Sequence, residues 1–77
     1  MNIDGKEYEF IRASDAIRDG MALECFEVGS TTAPVLEAYY YDSTGRFTFT
    51  AFAKNLPFEL VEEFLRAARR GLPPKPG

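Results

Sequence analysis

Two alternating segments separated by a turn signature constrain the fold of this chain more than any other feature. The stretch EAYYYDSTGRFTFTAF places runs of aromatic and β-branched residues on both sides of DSTG, and such runs are typical of strands. Asp42 suits the first position of a type I turn, and Gly45 suits the left-handed residue that follows it. The pattern predicts an antiparallel hairpin with strands at 35–41 and 46–53.

The three consecutive tyrosines cannot share one face, because successive residues of a strand point to opposite sides of the sheet. A three-residue loop at 43–45 would pair Tyr41 with Phe47. Tyr39 would then pair with Phe49 on the same face, which we expect to lie beneath a helix. The opposite face carries five residues that we predict to contact a partner: Leu36, Tyr40, Thr48, Thr50 and Phe52.

Three further segments complete the predicted fold. Residues 6–12 and 21–28 alternate and predict two earlier strands, whereas 13–20 is compatible with a short helical turn or with a loop. Residues 57–70 carry apolar side chains at helical spacing, with acidic residues early and basic residues late. That pattern predicts an amphipathic helix, because the charges complement the helix dipole.

The expected fold is therefore α+β, a four-stranded antiparallel sheet followed by one C-terminal helix packed on one face. A chain of 77 residues is the size of one domain, and we assign that domain to 1–72. The remaining residues, 73–77, form a proline-rich tail. The spacing Arg70-x-x-Pro73-x-x-Pro76, which leads into this tail, is weak support for peptide recognition, since a helix stop explains the same residues.

The second face of such a sheet needs an explanation, because a single helix covers only one face. A helix is about 10–12 Å across, and four strands span about 15 Å. An exposed apolar patch on a small protein usually marks an interface, and most soluble oligomers are two-fold homodimers. We therefore expect a homodimer, face to face or sharing a sheet edge. The alternative is that Thr48 and Thr50 dilute the patch enough for it to face water.

The charge distribution raises two other functions. Nine acidic and three basic residues lie in 1–45, whereas three acidic and six basic residues lie in 46–77. The acidic part, with Glu7, Glu9, Glu24 and Glu27, suits an inhibitor or immunity-type protein that binds a basic protein partner. An aromatic sheet face could also stack single-stranded nucleic acid, but the excess of acids on the sheet disfavours phosphate binding.

Residues that support catalysis are scarce in this sequence. There is no histidine and only one cysteine, Cys25, which we expect to be a buried structural thiol. We expect no enzymatic activity, no cofactor and no metal ion. The absence of a disulfide, of a signal peptide pattern and of a long apolar run favours the cytoplasm and argues against a membrane location.

Overall fold

The computed structural model describes residues 1–15, 17–30 and 33–72, except for the side chain of Asp15. These residues form five strands and one helix: β1 Asn2–Ile3, β2 Lys6–Asp15, β3 Gly20–Glu27, β4 Leu36–Tyr41, β5 Arg46–Ala51 and α1 Phe58–Gly71. Each strand pairs antiparallel with the next, in the order β1-β2-β3-β4-β5. The predicted α+β fold of an antiparallel sheet followed by a C-terminal helix is confirmed, with one more strand than expected.

Differences from the predicted elements lie near the N-terminus and in the first hairpin. β1 has only two residues, too few to show an alternating pattern. β2 continues to Asp15, so both the helical turn and the loop considered for 13–20 are wrong for the first three of those residues. The predicted tail at 73–77 lies outside the described residues.

The register of the β4–β5 hairpin differs from the prediction by one residue. Tyr41 pairs with Arg46, and Tyr40 pairs with Phe47. The loop therefore has four residues, 42–45, and its Gly45 N–H donates to the Tyr41 carbonyl at 2.8 Å. Because side chains alternate along a strand, this shift moves every residue of β4 to the other face. The predicted placement of the three tyrosines is wrong for this reason.

The sheet has one face covered by the helix and one open face. The helix-covered face includes residues that lie opposite one another on neighbouring strands. They are Tyr8, Phe10, Arg12, Met21, Leu23, Cys25, Leu36, Ala38, Tyr40, Phe47 and Phe49. The open face carries the alternating set: Glu9, Ile11, Ala13, Ala22, Glu24, Phe26, Glu37, Tyr39, Tyr41, Thr48 and Thr50. Most of the apolar side chains therefore lie on the side that the helix shields.

Helix α1 buries Leu60, Phe64 and Ala68 against the sheet. The Phe64 ring meets Phe10 edge to face at 5.3 Å between centroids, a favoured aromatic geometry. The N-cap of α1 is Pro57, and no side chain donates or accepts a capping hydrogen bond there. No helix in the described part of the chain has the length and hydropathy to cross a bilayer.

Candidate interaction surface

The structure separates the five residues that were predicted to form one partner-binding face. Leu36 is 0% exposed and Tyr40 is half-buried, and both lie on the helix-covered face. Thr48 and Thr50 are exposed on the open face. Phe52, just beyond β5, is 58% exposed. The residues that remain together at the surface are therefore the three that belong to β5 and its end.

The open face is less hydrophobic than the predicted second face, and the chain itself covers its most aromatic part. Tyr39 is 1% exposed there, and the Tyr41 ring packs against the Tyr39 ring with 4.6 Å between their centroids. The Arg18 guanidinium lies 3.9 Å from the centre of the Tyr39 ring. Arg18 also donates two hydrogen bonds to the Glu37 carboxylate, at 2.8 and 3.3 Å. Arg18 thus shields a tyrosine that would otherwise face water.

This arrangement also bears on the nucleic-acid alternative. Base stacking needs exposed aromatic rings, but Tyr39 lies beneath Arg18, and Phe26 and Tyr41 are half-buried. The open face also carries the carboxylates of Glu9 and Glu24, which repel phosphate. The geometry gives this alternative no support.

The acidic residues proposed to bind a basic partner do not form one patch. Glu7, Glu9 and Glu24 share the open side of the sheet, whereas Glu27 pairs with Tyr8 on the other side. The Glu7 carboxylate accepts a hydrogen bond of 2.8 Å from the Met1 amino group. That bond holds the pKa of Glu7 below its usual value. Part of the acidic charge is therefore neutralised within the chain.

Strand β5 is the most exposed long strand of the sheet. Five of its six residues are exposed, and only Phe47 is half-buried. Within the described ranges β5 pairs with β4 alone, so its outer edge has no strand partner. An exposed edge without charged residues along its centre is a template for pairing with another chain. Between Arg46 and Lys54 the sequence contains no charged residue.

The direction of the free backbone groups follows from one hydrogen bond. The Phe52 N–H donates to the Val35 carbonyl at 2.9 Å, in the same register as the β4–β5 ladder. Hydrogen-bonded pairs alternate along an antiparallel ladder. Thr48 and Thr50 therefore direct their backbone groups towards β4, whereas Phe47, Phe49 and Ala51 direct theirs to the outer edge.

An apolar groove of about 300 Å³ lies between β5 and α1. Two of its lining residues, Ala38 and Ala68, are small and leave space that larger side chains would fill. Its lining residues are Ala38, Phe47, Thr48, Phe49, Leu65, Ala68 and Arg69. Phe49 and Leu65 are 46% and 42% exposed, so the groove opens along the same edge as β5.

We define the β5 surface as the residues along this edge, all exposed except the half-buried Phe47: Arg46, Phe47, Thr48, Phe49, Thr50, Phe52, Leu65 and Arg69. The sequence placed Phe49 beneath the helix, and its side chain does point there. It remains half-exposed although its ring centroid lies 6.4 Å from that of Phe64 on the helix. Leu65 is one of the apolar residues at helical spacing in the predicted helix at 57–70, and no sequence signal separates it from the members that are buried.

The described residues offer little for catalysis. No cluster of three or more histidine, cysteine or acidic side chains in these ranges could hold a metal ion. Cys25 is buried on the helix-covered face, as predicted. Burial raises the pKa of its thiol to about 11, so the thiol stays protonated and unreactive at neutral pH.

Comparison with known proteins gives no guide to the role of this surface. No family model, no curated protein and no solved structure matches this chain.

Proposed function

We propose that this chain is a non-catalytic interaction domain that forms a homodimer through the β5 surface. The observation that carries the proposal is the outer edge of β5, which combines unpaired backbone groups with exposed Phe49 and Phe52. In this proposal the interface involves three of the originally expected residues, Thr48, Thr50 and Phe52, together with Phe49.

Edge pairing satisfies two requirements of the β5 surface at once. A strand added to an open edge provides hydrogen-bond partners for its free N–H and C=O groups. The same association removes the half-exposed ring of Phe49 and the side chain of Leu65 from water. Burial of apolar area contributes roughly 25 cal/mol per Å², and a buried aromatic anchor is typical of interaction hot spots.

The proposal of a non-catalytic role is supported by the chemistry of the chain. The sequence has no histidine, and the Cys25 thiol is buried with a raised pKa. We also place the protein in the cytoplasm, because a reducing compartment suits a small domain with a single free cysteine.

The test is the mass of the protein in solution, measured by sedimentation over a concentration series, for the unmodified chain and for Phe49→Lys. A lysine on the inward-facing side of an edge strand opposes strand pairing. We expect a concentration-dependent dimer for the unmodified chain and a dissociation constant raised about 30-fold or more for Phe49→Lys.

Val28→Lys is the matched control for this substitution. Val28 is 49% exposed, almost the same as Phe49, and it lies just beyond β3 with its N–H bonded to the Glu7 carbonyl. This variant should dimerise like the unmodified chain. An unmodified chain that remains monomeric at every concentration rules out the proposal, as does a Phe49→Lys variant that dimerises normally.

A further inference from the structure

We infer that two copies of this chain pair their β5 strands antiparallel about a two-fold axis that passes beside Phe49. This inference rests on the self-association proposed above and adds the register and the residues that meet. The two five-stranded sheets become one continuous sheet, with both helices on the same side. The pairing is isologous, so each copy contributes the same residues.

The alternation of the strand restricts the possible registers. In a continuous sheet, residues that lie opposite each other share a face. Phe49 can therefore lie opposite only Phe47, Phe49 or Ala51 of the second copy. These are also the residues whose backbone groups point to the outer edge. The hydrogen bonds and the side-chain faces thus require the same set of registers.

Centring the pairing on Phe49 gives complementary contacts along the whole strand. Phe49 meets Phe49 of the second copy, and Thr48 meets Thr50. These are an aromatic pair and a threonine pair, both favourable across strands. The larger Phe47 lies opposite the small Ala51, which leaves room for its ring.

The outermost pair of this register, Phe52 and Arg46, gives the exposed Phe52 ring a contact in the dimer. Phe52 is 58% exposed, and its bond to Val35 keeps it in register with β5. In the pairing centred on Phe49, Phe52 lies opposite Arg46 of the second copy, where a guanidinium can rest on the ring. The two Arg46 side chains are six residues apart along the strand direction, or about 20 Å, so they do not repel each other strongly.

The register centred on Thr48 is less favourable. It brings Ala51 opposite Gly45, whose N–H is already bonded to the Tyr41 carbonyl at 2.8 Å. That register forms about four hydrogen bonds between the copies, compared with about six when Phe49 is at the centre. It also leaves Phe52 beyond the paired residues.

Closure distinguishes this arrangement from pairing β5 with the outer edge of β2. Such a head-to-tail contact leaves one free β5 and one free β2 after each addition, so it adds further copies until it closes into a ring or extends into a fibre. Two β5 strands related by a two-fold axis leave no free β5. The Phe49 ring of the second copy then lies at the mouth of the groove beneath Leu65, which a single copy leaves unfilled.

Cysteine cross-linking tests this register directly. In the pairing centred on Phe49, Thr48 and Thr50 of the two copies form a non-hydrogen-bonded pair, with Cα atoms about 4.5 Å apart. That separation is suitable for a disulfide. Thr48→Cys and Thr50→Cys are purified separately, mixed in equal amounts and oxidised with glutathione disulfide. Mass spectrometry of the digested dimer identifies the linked residues.

We expect the mixture to give about ten-fold more disulfide-linked dimer than either variant alone, because identical positions lie on a diagonal about 7–8 Å apart. The unmodified chain is the background control, since Cys25 is buried. A linked dimer from Thr48→Cys alone, or from Thr50→Cys alone, would assign the register centred on that threonine and overturn the inference. A dimer in sedimentation with no disulfide in any sample would also overturn it while leaving the proposed function intact. A monomer in sedimentation would overturn both.

Discussion

Gly20 provides the sharpest stability test of this structure, because the sheet leaves no room for a side chain there. A Cβ atom at this position would lie 2.1 Å from the Tyr40 carbonyl oxygen and 2.7 Å from Cε1 of the Tyr39 ring. The ring could turn aside, but the carbonyl oxygen belongs to the paired strand and can move only if the β3–β4 ladder opens. We therefore predict that Gly20→Ala separates the two strands at this end.

Gly20→Ala should lower the free energy of unfolding by an amount near the upper end of the roughly 1–3 kcal/mol that overpacking usually causes. A domain of this size is stable by roughly 4–12 kcal/mol, so the variant should still fold. The melting temperature should fall by about 10–20 °C, since 1 kcal/mol corresponds to about 4–8 °C in small domains. Urea unfolding followed by circular dichroism and tyrosine fluorescence, at one protein concentration, measures the change in the free energy of unfolding, and thermal unfolding measures the change in melting temperature.

Gly45→Ala is the control, because it strains the backbone without a close contact. Gly45 has a φ of 70°, and the nearest atom to an added Cβ is the Tyr40 Oη at 3.8 Å. Gly45→Ala should lower the free energy of unfolding by about 1–2 kcal/mol, because alanine is strained in the left-handed conformation. The reasoning is refuted if Gly20→Ala loses less stability than Gly45→Ala, or gains stability as glycine replacements do at compatible sites.

Two further predictions concern the open face and the core. Arg18→Gln removes the contact with the Tyr39 ring and the ion pair with Glu37. It should lower the free energy of unfolding by about 1–2 kcal/mol in urea titrations, with Arg18→Lys restoring less than half, because an ammonium lacks the planar fork. Burial raises the pKa of Cys25 from 9.0 to about 11, so the native state favours the neutral thiol. Its contribution to stability is complete below about pH 9 and is lost as the pH rises to about 11. The difference in unfolding free energy between the unmodified chain and Cys25→Ala should therefore shift against the unmodified chain over this interval, and a constant difference would contradict the prediction.

The elements of this fold are encoded locally, which is why most of them could be predicted from the sequence. The helix was expected at 57–70 and is found at Phe58–Gly71, because its apolar spacing and charge order are properties of consecutive residues. The hairpin strands begin or end within two residues of their expected positions. Cys25 was expected on the core side, and the alternation of β3 places it there.

Which residues share the predicted partner-binding face depended on the length of the β4–β5 turn, and the sequence of that turn was compatible with two loop lengths. DSTG fits a loop of three or four residues, and the longer loop decided the face of Leu36 and Tyr40. A difference of one residue does not change the composition of the segment, but it reverses the direction of each side chain in β4. The sequence therefore predicted Thr48, Thr50 and Phe52 at the surface but also included two residues that the helix covers.

The sequence by itself determined that this chain forms antiparallel strands followed by one amphipathic helix, since periodicity and turn residues act over a few neighbouring positions. Only the tertiary structure decided which tyrosines lie in the core, that Arg18 covers Tyr39, and that β5 is left as an open edge. These features depend on strand register and strand order, which are set by the pairing of residues on different strands and not by the periodicity within one strand.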